Sequence, residues 1–97
     1  MTTNQENIQK IKHYFENKPV LKAYIFGSVA KNEESDESDI DILVDLDYSK
    51  KIGLLFVQMK LDLEKMLQKQ VDLVSSNGLS PFIRKRIENE KKLIYER

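Results

Sequence analysis

Phe-Gly-Ser-Val-Ala-Lys-Asn-Glu-Glu-Ser-Asp-Glu-Ser-Asp-Ile-Asp-Ile-Leu-Val-Asp occupies residues 26–45. A Gly27-Ser28 pair is followed, ten residues on, by two aspartates one residue apart, Asp39 and Asp41. Successive side chains of a strand point to opposite faces, so Asp39 and Asp41 share one face while Ile40, Ile42 and Val44 take the other. Two such anions about 7 Å apart, at an effective dielectric of ~20, repel by roughly 2 kcal/mol, a sizeable fraction of a small domain's stability. The pattern calls for positive charge between them. A hard divalent cation held by carboxylate oxygens fits, and Mg²⁺ in particular is commonly bound by one or two carboxylates together with substrate phosphates.

The residues upstream supply the phosphate side. Val20 to Phe26 reads as a strand feeding a tight turn at Gly27, where a glycine lets a ligand approach the backbone. Ser28 can cap a short helical turn through Val29, Ala30 and Lys31, leaving N–H groups and a hydroxyl aimed at an anion. Taken singly, a Gly-Ser is an ordinary turn and an Asp-x-Asp an ordinary solvated edge. Their order, with strand chemistry on both sides, favours a site.

Further along, Gln70 to Val74 reads as a third strand. If Val71 and Leu73 point into the core, Asp72 faces the other way and joins Asp39 and Asp41. Between the second and third strands, Ile52 to Lys69 carries Ile52, Leu55, Phe56, Met59, Leu63, Met66 and Leu67 at helical spacing, the expected core stripe. A second stripe of Leu54, Val57 and Leu61 reads as deeper burial, with a partner surface as the alternative. Residues 4 to 17 form an amphipathic helix with Ile8, Ile11 and Phe15 on one face, and His13 beside that stripe is read as a surface histidine without a role. In strand one, Leu21, Ala23 and Ile25 are expected on one face and Lys22, Tyr24 and Phe26 on the other. Ser80 and Pro81 start a last helix to about Glu90, packed by Phe82, Ile83 and Ile87, and Leu93 to Tyr95 returns as a short strand. Arg84, Lys85 and Arg86 read as a solvated face, with phosphates or an acidic partner as the alternative.

With 97 residues the chain is expected to form one domain, 1–97, too small to carry a separate substrate domain. It has no cysteine, which excludes disulfides, thiolate zinc sites and cysteine nucleophiles. No apolar run approaches the ~20 residues of a membrane span and no signal peptide is evident, so a cytoplasmic location without membrane attachment is expected. Sixteen basic and sixteen acidic residues cancel, which argues against nucleic acid as a partner. The distribution is uneven: residues 33–47 hold eight acids and no Lys or Arg, whereas six bases face three acids from Pro81 onward. An acidic mouth suits cations.

In its Gly27-Ser28, ten intervening residues and Ser38-Asp39-Ile40-Asp41, followed by Val71-Asp72-Leu73-Val74, the chain resembles the minimal nucleotidyltransferases of the DNA polymerase beta-like superfamily. The resemblance covers nearly the whole chain. It implies an α/β fold, a small mixed sheet of three to four strands backed by helices with the carboxylates on an open face. It also implies an enzyme that moves AMP from ATP to a hydroxyl of a partner protein with release of pyrophosphate. Gly27 and Ser28 would hold the β and γ phosphates. Asp39, Asp41 and Asp72 would be the catalytic carboxylates, binding two Mg²⁺ ions, with Asp72 also helping to deprotonate the acceptor. Such proteins are typically antitoxins encoded with a HEPN-type toxin, which would be the partner; a homo-oligomer is compatible with the sequence. Relatives usually carry arginine directly after Gly-Ser and an Arg-Gly beyond it, where this chain has Val29, Lys31 and Asn32. That departure weakens the expected grip on the triphosphate more than on metal, since all three aspartates remain. The rival readings are a binding-only antitoxin and a nucleotidyltransferase acting on RNA or a small molecule.

Overall fold

The computed structural model describes residues 3–27 and 40–97; Ser28 and Asp39 lie outside them. Helix α1 (Thr3–Phe15) leads into strand β1 (Val20–Phe26), and strand β2 (Ile40–Leu46) precedes helix α2 (Gly53–Leu67). Strand β3 (Val71–Ser75), a 3₁₀ turn (Ser76–Gly78), helix α3 (Pro81–Glu90) and strand β4 (Lys92–Glu96) complete the order. The sheet runs β3-β2-β1-β4, with β2 and β3 parallel and the other pairs antiparallel. The expected α/β class with a mixed sheet is what the chain adopts, and the returning strand at Leu93 to Tyr95 is β4.

One face of the sheet carries the main core. Ile40, Ile42, Val44 and Leu46 of β2 join Val20, Ala23 and Ile25 of β1 and Val71 and Leu73 of β3. Ile11 and Phe15 of α1 and Met59, Leu63 and Leu67 of α2 close over them, with Ile8, Ile52, Leu55, Phe56 and Met66 packed at the margin. Strand β2 is central and nearly continuous in apolar residues because both of its faces are covered: Leu43, on the side opposite Ile42, is also buried.

Three expectations change. Leu21 does not share the core face with Ala23 and Ile25, because Val20 pairs with Leu46 and Lys22 with Asp45. Two residues of β1 therefore answer one of β2, a bulge that turns Leu21 outward to 40% exposure and brings Val20 inward. The second stripe of α2 is not buried: Leu54 is 86% exposed, and Val57 and Leu61 are about half exposed. The sheet has enough apolar surface for one helical stripe, and Met59, Leu63 and Leu67 fill it. In α3 only Ile87 is buried, whereas Phe82 and Ile83 are exposed. His13 is a surface residue, as expected, 3.3 Å from Glu16.

Glu64 fixes the start of β3. Its carboxylate accepts the Val71 N–H at 3.0 Å and the Lys60 ammonium at 3.2 Å. Those bonds, the backbone one foremost, hold its pKa below the ordinary 4.5. The folded state thus binds fewer protons than the unfolded one; this stability is complete above pH 4.5 and is lost as pH falls through the depressed folded value. Replacement of Glu64 by Gln is expected to flatten the loss of stability on acidification, read as urea midpoints from pH 7 to pH 3. Unaltered pH dependence would contradict this assignment. The two stripes of α2 separate in the same assay: Leu63→Ala is expected to cost about 2–5 kcal/mol, whereas Leu61→Ala stays within about 0.5 kcal/mol.

Candidate active site

The parallel pairing of β2 with β3 decides where the carboxylates go. Asp41 stands opposite Asp72, flanked by the pairs Ile40 with Val71 and Ile42 with Leu73. The flanking apolar residues are buried in the core, so both aspartates project from the other face. Asp41 is half-buried and Asp72 exposed. The parity argument for Asp72 therefore holds. Of the expected trio, Asp41 and Asp72 are brought together, and Asp39 lies outside the described residues, as does Ser28 of the phosphate turn. Among the described residues no third metal-ligating side chain joins the pair.

Gly27 sits beside them through the pairing of Phe26 with Asp41. Its φ of +75° is left-handed, where a side chain is strained. A Cβ there would also fall on the Asp41 carboxylate, inside van der Waals contact with Oδ2 and 3.4 Å from Cγ. Glycine is therefore required twice over, once by the turn and once by the space that Asp41 occupies.

The carboxylate face is not open. Phe26, Gly27, Asp41 and Asp72 form one wall of a cleft of about 160 Å³, and Ile83, Arg86 and Ile87 of α3 form the other. Leu43 on this face and Ile87 on α3 are both buried, and both stand outside the main core cluster. Burial of Ile87 holds α3 across the sheet. Ser80 caps the helix by accepting the Ile83 N–H at 3.4 Å, and Arg84 ties it to the preceding turn through Nη2 to the Ser76 carbonyl, 2.9 Å. At its far end the Lys91 ammonium lies 4.2 Å from the centre of the Tyr24 ring. Arg86 was not distinguished from its basic neighbours by composition. The signal was its spacing: Arg86 is three residues from Ile83 and adjacent to Ile87, which puts it on the apolar edge of the helix. A larger cleft, about 480 Å³, is lined by Lys60, Glu64, Gln70, Val71 and Asp72, so Asp72 borders both.

A cleft below the ~300–1,000 Å³ of small-molecule pockets accommodates part of a nucleotide rather than all of it. Paired carboxylates, a glycine turn and a cation around that space are suited to phosphate and metal.

The family model described as Polymerase beta, Nucleotidyltransferase matches residues 9–97. A Methanocaldococcus jannaschii protein named "putative protein adenylyltransferase" is 45% identical over 71 residues, 73% of this chain and 75% of its own. The solved structure of a "putative minimal nucleotidyltransferase" superposes with a TM-score of 0.79 at 30% identity, over 93% of this chain and 91% of that one. A Shewanella oneidensis complex, a tri-AMPylated HEPN toxin with its MNT antitoxin, matches with a TM-score of 0.73 at 22% identity, over 97% of this chain and 73% of that one. The chain belongs to the polymerase beta nucleotidyltransferase family. It is a nucleotidyltransferase of the small kind whose fold is shared with the antitoxin of that complex.

Two glycines separate strain from clash. Both Gly27 and Gly53 have positive φ, but nothing lies within 4 Å of a Cβ at Gly53. Gly53→Ala is expected to cost about 1–2 kcal/mol and to leave nucleotidyl transfer intact. Gly27→Ala should lose both stability and transfer, since it displaces Asp41. Equal activity in the two variants would refute the steric role of Gly27.

Proposed function

We propose that this chain transfers AMP from ATP to a hydroxyl on a partner protein, and that the partner is a HEPN-type toxin which it neutralises as antitoxin. The carrying observation is the register that sets Asp41 beside Asp72 on a cleft closed by Gly27 and α3. Its relatives support the rest: one is named "putative protein adenylyltransferase", and the fold is shared with a chain of a complex that contains an AMPylated HEPN toxin.

The donor set fits a hard divalent cation, because oxygen-only ligands on adjacent strands are what Mg²⁺ prefers and the missing Cβ of Gly27 leaves the Asp41 carboxylate room. Asp41 and Asp72, with Asp39, would hold two Mg²⁺ ions, which when bound neutralise phosphate charge and favour the attacking oxygen. Gly27, and Ser28 with it, would receive the β and γ phosphates at the end of β1. Asp72 would meet an acceptor arriving beside the carboxylate cleft and take its hydroxyl proton, a role supported by its position bordering both that cleft and the larger one. The remainder of catalysis is alignment of the acceptor oxygen, the α phosphorus and the leaving pyrophosphate.

A binding-only antitoxin is the second reading, favoured by the exposed Leu54, Val57 and Leu61 stripe of α2. The two readings part on one variant. With ATP labelled at the α phosphate, Mg²⁺ and host lysate, wild type is expected to label a protein, and Asp41→Asn with Asp72→Asn to reduce labelling at least a hundredfold, a barrier change of roughly 2.7 kcal/mol or more. Undiminished labelling by the double variant would end the carboxylate mechanism. An inactive double variant that still protected cells from the toxin would favour binding alone.

A further inference from the structure

We infer that Arg86 is a triphosphate-binding residue of this site, a role that rests on the nucleotide-transfer reading above and assigns the phosphate grip to α3 as well as to the glycine turn. Among the described residues that line the carboxylate cleft, Arg86 is the cation; Asp41 and Asp72 are the anions. The helix and the sheet thus present opposite charges to one small space. A cleft of about 160 Å³ suits phosphate groups better than a base and ribose.

The three basic residues of α3 are not equivalent. Arg84 is engaged with the Ser76 carbonyl at 2.9 Å, and Lys85 is not part of the cleft wall. Arg86 alone of the three faces it. Its partner is Glu90, one turn on, met through Nε at 3.5 Å, which leaves the two terminal Nη groups for a ligand. The side chain is 76% exposed, so it reaches a ligand without breaking packing. Burial of Ile87 and the position of Ile83 in the same wall fix the turn of helix from which it extends. A planar guanidinium that presents its Nη1–Nη2 edge binds phosphate oxygens in pairs, which an ammonium does not. Its contribution should grow with the number of phosphates on the ligand.

The test is binding of ATP, ADP and AMP in Mg²⁺ by calorimetry, with wild type, Arg86→Ala and Arg86→Lys. Arg86→Ala is expected to weaken ATP binding about tenfold, as for loss of a charge-assisted hydrogen bond at an exposed position, and to leave AMP within about twofold. Arg86→Lys should recover part of the loss. The thermal midpoint should not move. Equal weakening of all three nucleotides would mean that Arg86 only supports the fold of the wall, and unchanged ATP binding would remove it from the site; either overturns the inference while the carboxylate mechanism stands. Wild type that binds no nucleoside triphosphate would overturn both.

Discussion

The structure depends on the register between β2 and β3. Because the two strands run parallel and in step, Ile40 with Val71, Asp41 with Asp72 and Ile42 with Leu73, the same alignment seats four apolar side chains in the core and sets two carboxylates side by side outside it. A slip of one residue by either strand would turn that strand's aspartate into the apolar layer and part the pair. The core thereby enforces the juxtaposition of like charges on which the proposed mechanism rests. Glu64, bonded to the first backbone N–H of β3, adds a polar constraint at the position next to Asp72.

Much of this is legible in the amino-acid sequence. The alternation around Asp41 and around Asp72 gave the direction of each carboxylate, and the apolar spacing of α2 gave its buried stripe. What escaped reading has physical causes. A bulge between Val20 and Lys22 shifts the phase of β1 by one residue, and alternation carries no mark of where a phase shift occurs. The spare apolar residues of α2 are as hydrophobic as the buried ones, and only the area of sheet available decides which are covered. In α3, Phe82, Ile83 and Ile87 look equally fit to pack, yet the short helix lies with a single turn against the sheet. Periodicity identifies a face but not the width of contact.

The same limit hid the second wall of the site. Asp41 and Asp72 could be placed on one face from sequence, but that α3 would cross that face, carrying Arg86 to it, depends on the burial of Ile87 and Leu43 away from the main core. The carboxylates are borne by strands locked into the large cluster. The cation is borne by a helix that is not.

That asymmetry has a thermodynamic consequence. Opening a region costs roughly what it buries, and α3 buries Ile87, where α2 buries Met59, Leu63 and Leu67. Parting α3 from the sheet is therefore expected to cost less than parting α2 from it. The molecule thus combines one heavily packed face, which keeps the two carboxylates in register, with a lightly packed one on the opposite side of the sheet.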